Sequence, residues 1–174
     1  MKVAYRSWKV NKDGLLLGYW QHQPWKEGEN EASCFEGTTH LVPSEYCECG
    51  FYAYKEPTIY DFNYAYKVII AGAVLMWGNI VEHRVGFRSQ KAKIEALFSP
   101  DHLGNLDVPC RINRDQVIGI DKEYPPTIIL KEVLEKIQVN YGLTFQPAPK
   151  LAYVKYNGDS FGEEKEEANG IYKG

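Results

Sequence analysis

Four residues able to bind a soft metal ion, Cys34, His40, Cys47 and Cys49, fall within sixteen positions of one another, and they include three of the four cysteines in the chain. Zinc takes sulfur and imidazole ligands in a tetrahedron, and three cysteines with one histidine are an accepted structural set. The spacing is Cys-x5-His-x6-Cys-x-Cys, which departs from the paired Cys-x2-Cys turn. On an extended chain, however, residues two apart face the same way, so Cys47 and Cys49 can address one ion. Four protein ligands leave no position for water or substrate, so the expected ion is one structural zinc. The competing reading makes Cys34 and Cys47 small buried hydrophobes and His40 a surface residue. Cys110 lies far along the chain in another loop and is expected to be dispensable to the ion.

A second group, Glu82, His83 and Arg88, sits around one turn. A carboxylate and an imidazole beside a guanidinium could form an acid/base pair next to an anion anchor. Adjacent strand residues point to opposite faces, so Glu82 and His83 are not expected to share a pocket unless a bulge intervenes. Ligand binding by His83 and Arg88, with Tyr52 and Trp25 as aromatic wall, is therefore preferred over catalysis. Trp8, Trp20 and Trp77 are further candidates for that wall, although Trp77, inside an apolar run, reads as core. The plain alternative for the turn is a solvated hairpin end with a surface Glu-Arg pair. No phosphate loop, nucleophile elbow or dinucleotide fingerprint is present.

These residues need a scaffold, and the pattern of the chain predicts a β-rich one. Lys12-Asp13-Gly14 between two apolar stretches, 5–10 and 15–20, reads as a hairpin turn. Residues 21–45 show no periodicity and make a long loop, which in a compact domain is usually functional or pinned by something. Residues 49–67 match no single pattern. Val68 to His83 is apolar on both faces, as for a central strand, with Gly72 and Gly78 marking a close approach or a bulge. After a turn at Arg84-Val85-Gly86, the residues Ala92, Ile94, Ala96 and Phe98 alternate with Lys91, Lys93, Glu95 and Leu97, the period of a half-buried strand. A loop over 99–113 and a short strand over 116–120 follow. Ile129, Leu130, Val133, Leu134 and Ile137 then form one stripe of a helix over 127–140, with Gly142 as its stop. The expected fold is α+β and β-rich: a twisted or barrel-like mixed sheet with one packed C-terminal helix. Residues 1–155 form a single globular domain, and 156–174 an acidic tail too polar to order itself.

Two elements together resemble a group of small, uncharacterised bacterial and phage-borne proteins. The first is Cys47-Glu48-Cys49-Gly50-Phe51-Tyr52-Ala53. The second runs from Gly72-Ala73-Val74 through Trp77-Gly78 and Glu82-His83 to Gly86-Phe87-Arg88. The resemblance spans roughly residues 32–92; it implies a shared architecture and site, and no substrate.

Composition limits the function further. The net charge is −3 and the lysines and arginines are scattered, so the basic stripe that phosphate-backbone binding needs is missing. The longest apolar run, Val68 to Trp77, is about half the length of a membrane helix. The first residues lack the apolar core of a secretory signal, which points to the cytoplasm and to reduced thiols. Thirteen tyrosines and four tryptophans suit strands and contact surfaces alike. The expectation is a non-enzymatic binding module for a protein or a small anionic, nucleotide-like ligand. The alternative is a small hydrolase or nucleotide-processing enzyme using Glu82 and His83.

Overall fold

A computed structural model describes residues 1–18, 24–34, 37, 40–61, 69–98, 126–149 and 152–155. Trp20, Cys110, the loop over 99–113, the strand over 116–120 and the tail from 156 lie outside the described residues. The elements are β1 (Lys2–Val10), β2 (Leu16–Leu17), β3 (Glu29–Glu31), β4 (Phe51–Tyr54), β5 (Thr58–Asp61), β6 (Ile69–Glu82), β7 (Gly86–Phe98), α1 (Pro126–Tyr141), β8 (Phe145–Gln146) and β9 (Ala152–Lys155). Among the described residues the expected α+β, β-rich architecture with one helix forms.

The long strands β6 and β7 make an antiparallel hairpin, and β6 also pairs along its first half with β1. β4 pairs with β7 on one side and touches β1 on the other through Tyr5 and Tyr54. The pairings β1–β6–β7–β4–β1 thus close a circuit. The sheet curls on itself without becoming a clean barrel, because its last seam is a single residue pair. β2 and β3 extend it at β1 and β7, and β8 adds a parallel pair to β7. β5 and β9 form a separate parallel pair.

Two irregularities decide where side chains point. Val74 lies opposite Ile94 while Ala73 lies opposite Ala96, so Glu95 is an extra residue on β7. An extra residue reverses the faces beyond it. The simple alternation predicted for β7 therefore holds through Ala92 and Ile94, which join the main core, and then inverts. Leu97 enters that core, while Ala96 and Phe98 pack on the other face with Ala71, Ala73 and Tyr5. The second irregularity sets Gly78 and Asn79 against Gln90. Gly78 has φ 79°, a backbone state that L side chains rarely adopt.

Trp8, Leu16, Ile70, Val74, Met76 and Leu97 are fully buried, and α1 closes the core with Val133, Ile137 and Tyr141. These three stand four residues apart, on one helix face. The Tyr141 hydroxyl donates to the Trp25 carbonyl and accepts from the Leu16 amide, both at 2.9 Å. The first hairpin turn is held to the helix by Asn140 Nδ2 donating to the Asp13 carbonyl at 2.8 Å. Residues 21–45, expected to be free of regular structure, contain the short strand β3, whose Asn30 lies opposite Ala92. Among the described residues no helix is long and apolar enough to cross a membrane.

Gly72 sits where β6 passes over the Trp8 ring, and a Cβ there would overlap the Ala96 carbonyl oxygen. Backbone cannot yield as a flexible side chain can. Gly72→Val is expected to lower stability to urea unfolding by about 2 kcal/mol or more, through overpacking. Lys93→Ala, at an exposed position of β7, should change it by less than about 0.5 kcal/mol.

Candidate metal centre

The segment from His40 to Cys49 lies over the face of the sheet formed by β4 and β7. Tyr52 and Arg88 are paired across these strands and share a face; Phe51 and Phe87 point the other way, toward the core. Fully buried Pro43 packs toward Gly50, next to Ser89 and Arg88. Asn79, displaced by the Gly78 bulge, donates from Nδ2 to the Pro43 carbonyl at 2.8 Å. A turn closed by the Cys47 amide on the Ser44 carbonyl at 3.3 Å then delivers Cys47 and Cys49.

Arg88 is 4% exposed. Its Nη1 donates to the Cys47 carbonyl and, at 3.4 Å, to the Cys49 carbonyl, while Nε donates to His83 Nε2 at 2.8 Å. The guanidinium also lies 5.6 Å from the Tyr52 ring centroid, and the Tyr52 hydroxyl donates to the Glu48 carbonyl at 2.6 Å. Among the described residues Arg88 has no carboxylate partner. The plain alternative, a surface pair of Glu82 with Arg88, does not form either: Glu82 pairs with Lys55 at 2.7 Å and with Lys2 at 3.9 Å.

Cys34, His40, Cys47 and Cys49 converge, each with one ligand atom, and those atoms all lie within 4.8 Å of one another. Cys34 Sγ is 3.6 Å from Cys47 Sγ, and His40 Nε2 is 3.1 Å from Cys49 Sγ. A zinc tetrahedron built from ordinary Zn–S and Zn–N bonds has edges of about 3.5–3.8 Å, so small adjustments would seat an ion. Cys34, Cys47 and Cys49 are thiols and not disulfides. At Cys47 the Cys49 amide favours the thiolate, but desolvation and the neighbouring Cys34 and Cys49 thiols outweigh it and push the pKa up to about 11. Thiols crowded in this way resist ionisation until a cation compensates them.

The other predicted site residues separate into two groups. His83, Arg88 and Tyr52 come together beside the loop that carries Cys47 and Cys49. Trp25 belongs to the core, 5% exposed, edge-on to Trp8 at 5.4 Å between ring centroids and 4.8 Å from Phe51. Trp8 is fully buried, and Trp77 is half-buried. The bulge expected at Gly78 forms, but sequence reasoning missed that it turns Asn79 toward Pro43, and it missed the scaffold role of Arg88. Comparison with family models, curated proteins and solved structures finds no match to this chain.

Two expectations follow from this geometry. Replacing Arg88 with Ala removes charge-assisted bonds to two loop carbonyls and should lower stability by about 2–3 kcal/mol, with Arg88→Lys recovering only part because it lacks the planar fork. Chemical denaturation of the three proteins checks this. Burial, followed by the charges of Arg88 and Lys55, holds the His83 pKa below its ordinary 6.5. The neutral ring that accepts from Arg88 therefore contributes stability above pH 6.5 that is lost as the pH falls through the lower folded value. In an NMR titration the His83 ring resonances should show a midpoint below 6.5, moving upward in Arg88→Ala.

Proposed function

We propose that this protein is a non-enzymatic binding module whose recognition loop is built around one structural zinc ion held by Cys34, His40, Cys47 and Cys49. The convergence of four ligand atoms within 4.8 Å carries this reading, and the buried Arg88 strengthens it. Three thiolates and one imidazole on a divalent ion leave a net charge of −1, and the guanidinium against the backbone of two of those ligands would balance it. A buried cation with no opposite charge nearby is costly.

A complete tetrahedron of protein ligands favours a structural ion over a catalytic one. The hydrolase alternative finds no support in the turn, where the Glu82 carboxylate is held by Lys55 and the His83 ring by Arg88. The same interactions weaken a small anionic ligand as partner, since the Arg88 guanidinium is occupied by the scaffold. A protein partner is favoured by Leu41 and Tyr46, 80% and 96% exposed on the loop that the zinc would organise. Large apolar side chains displayed in this way are common at recognition surfaces. Thiol cysteines in a zinc set suit a reducing compartment such as the cytoplasm, and a phage-related origin agrees with the resemblance of the two sequence elements.

Elemental analysis of protein purified without added metal should find close to one zinc per chain. Cys49→Ser should lose it, and Cys110→Ser should keep it. Because metal affinity becomes folding energy when the unfolded chain has no preformed site, chelation should first expose the amides of residues 40–49 to hydrogen exchange. Less than about a tenth of an equivalent of zinc in the wild-type protein would overturn the proposal.

A further inference from the structure

The four ligands are not equally protected. Cys49 is 3% exposed and has His40 Nε2 at 3.1 Å, whereas Cys34 and Cys47 are both half-exposed and their sulfurs lie 3.6 Å apart. They reach the site from separate segments. Cys34 leaves β3, where the Ala32 amide is bonded to the Gln90 carbonyl at 2.8 Å, and Cys47 ends the turn that starts at Ser44. Two sulfurs at this separation need to close by only about 1.5 Å to reach disulfide bonding distance.

We infer that Cys34 and Cys47 form a peroxide-sensitive pair, whose oxidation to a disulfide discharges the zinc and releases the recognition loop. This rests on the zinc reading for its consequence, while the pairing itself rests on the thiol geometry. One thiolate of the pair attacks hydrogen peroxide: an S–O bond forms, the O–O bond breaks, and hydroxide leaves to be protonated to water. The second thiolate attacks the resulting sulfenic sulfur; the S–S bond forms, the S–O bond breaks, and a second hydroxide becomes water. Two electrons pass from the sulfurs to the peroxide. The ion loses two of its three anionic ligands, and Cys49 and His40 alone are a weak site. Cys49 stays reduced, and its carbonyl remains among the acceptors of Arg88, so the half of the site nearest the sheet is kept for reloading once the disulfide is reduced.

The test uses the full chain carrying Cys110→Ser, loaded with zinc and titrated with hydrogen peroxide. Zinc release is followed with a chromogenic chelator, and unreacted thiols are alkylated before non-reducing peptide mapping. The expected result is one zinc released per disulfide formed, a single Cys34–Cys47 linkage, an alkylated Cys49, and recovery of the zinc after phosphine reduction and metal addition. A disulfide that includes Cys49, over-oxidised sulfur without any disulfide, or thiols that stay alkylatable at a tenfold excess of peroxide would overturn the inference. Mapping metal-free protein oxidised in parallel at alkaline pH, where the raised Cys47 thiol ionises, reads the pairing alone, so loss of the zinc reading and loss of the pairing are told apart.

Discussion

One buried cation, Arg88, organises the face of the sheet over which the cysteine loop lies. Arg88 projects from β7 under the segment that ends in Cys47 and Cys49, and its guanidinium joins that segment's carbonyls and the nearby face of Tyr52 on β4 to the His83 ring at the β6–β7 turn, much later in the chain. A charge removed from water needs compensation. Carbonyl dipoles and a neutral imidazole supply part of it, and a thiolate-rich metal site beside them would supply the rest.

The magnitudes show what a zinc ion would add to the clamp. Fixing the ten residues from His40 to Cys49 costs on the order of 10–20 kcal/mol in backbone entropy. Hydrogen bonds to a charged group return about 1.5–3 kcal/mol each. A structural zinc contributes about 10–16 kcal/mol, which is the scale of the ordering cost. The sheet positions the clamp. Its curled circuit of β1, β6, β7 and β4 brings Arg88 and Asn79 to one side, and the bulge at Gly78 is what turns Asn79 toward Pro43.

Much of the scaffold was legible in the residues because it is encoded locally. The Asp13-Gly14 turn, the doubly apolar run that became β6, and the helical stripe through Val133 and Ile137 are short-range patterns, and each formed within a few residues of its expected bounds. The four metal-binding candidates were legible by type and crowding alone. What stayed hidden depends on pairing between distant segments. The strand at Phe51–Tyr54 pairs with β7 along its whole length and meets β1 at Tyr54, pairings that a reading of its own few residues does not reveal. The extra residue at Glu95 is invisible until β6 is laid beside β7, yet it decides that Leu97, and not Phe98, enters the main core. Arg88 read as an anion anchor because it stands with Glu82 and His83 around one turn; its burial comes from a loop some forty residues earlier in the chain.

The most direct measurement on the central claim is X-ray absorption at the zinc edge of the purified, unsupplemented protein. Three sulfur atoms at about 2.3 Å and one nitrogen at about 2.0 Å are predicted. A shell of oxygen and nitrogen only, or a zinc signal that persists unchanged when Cys49 is replaced by Ser, would contradict the account.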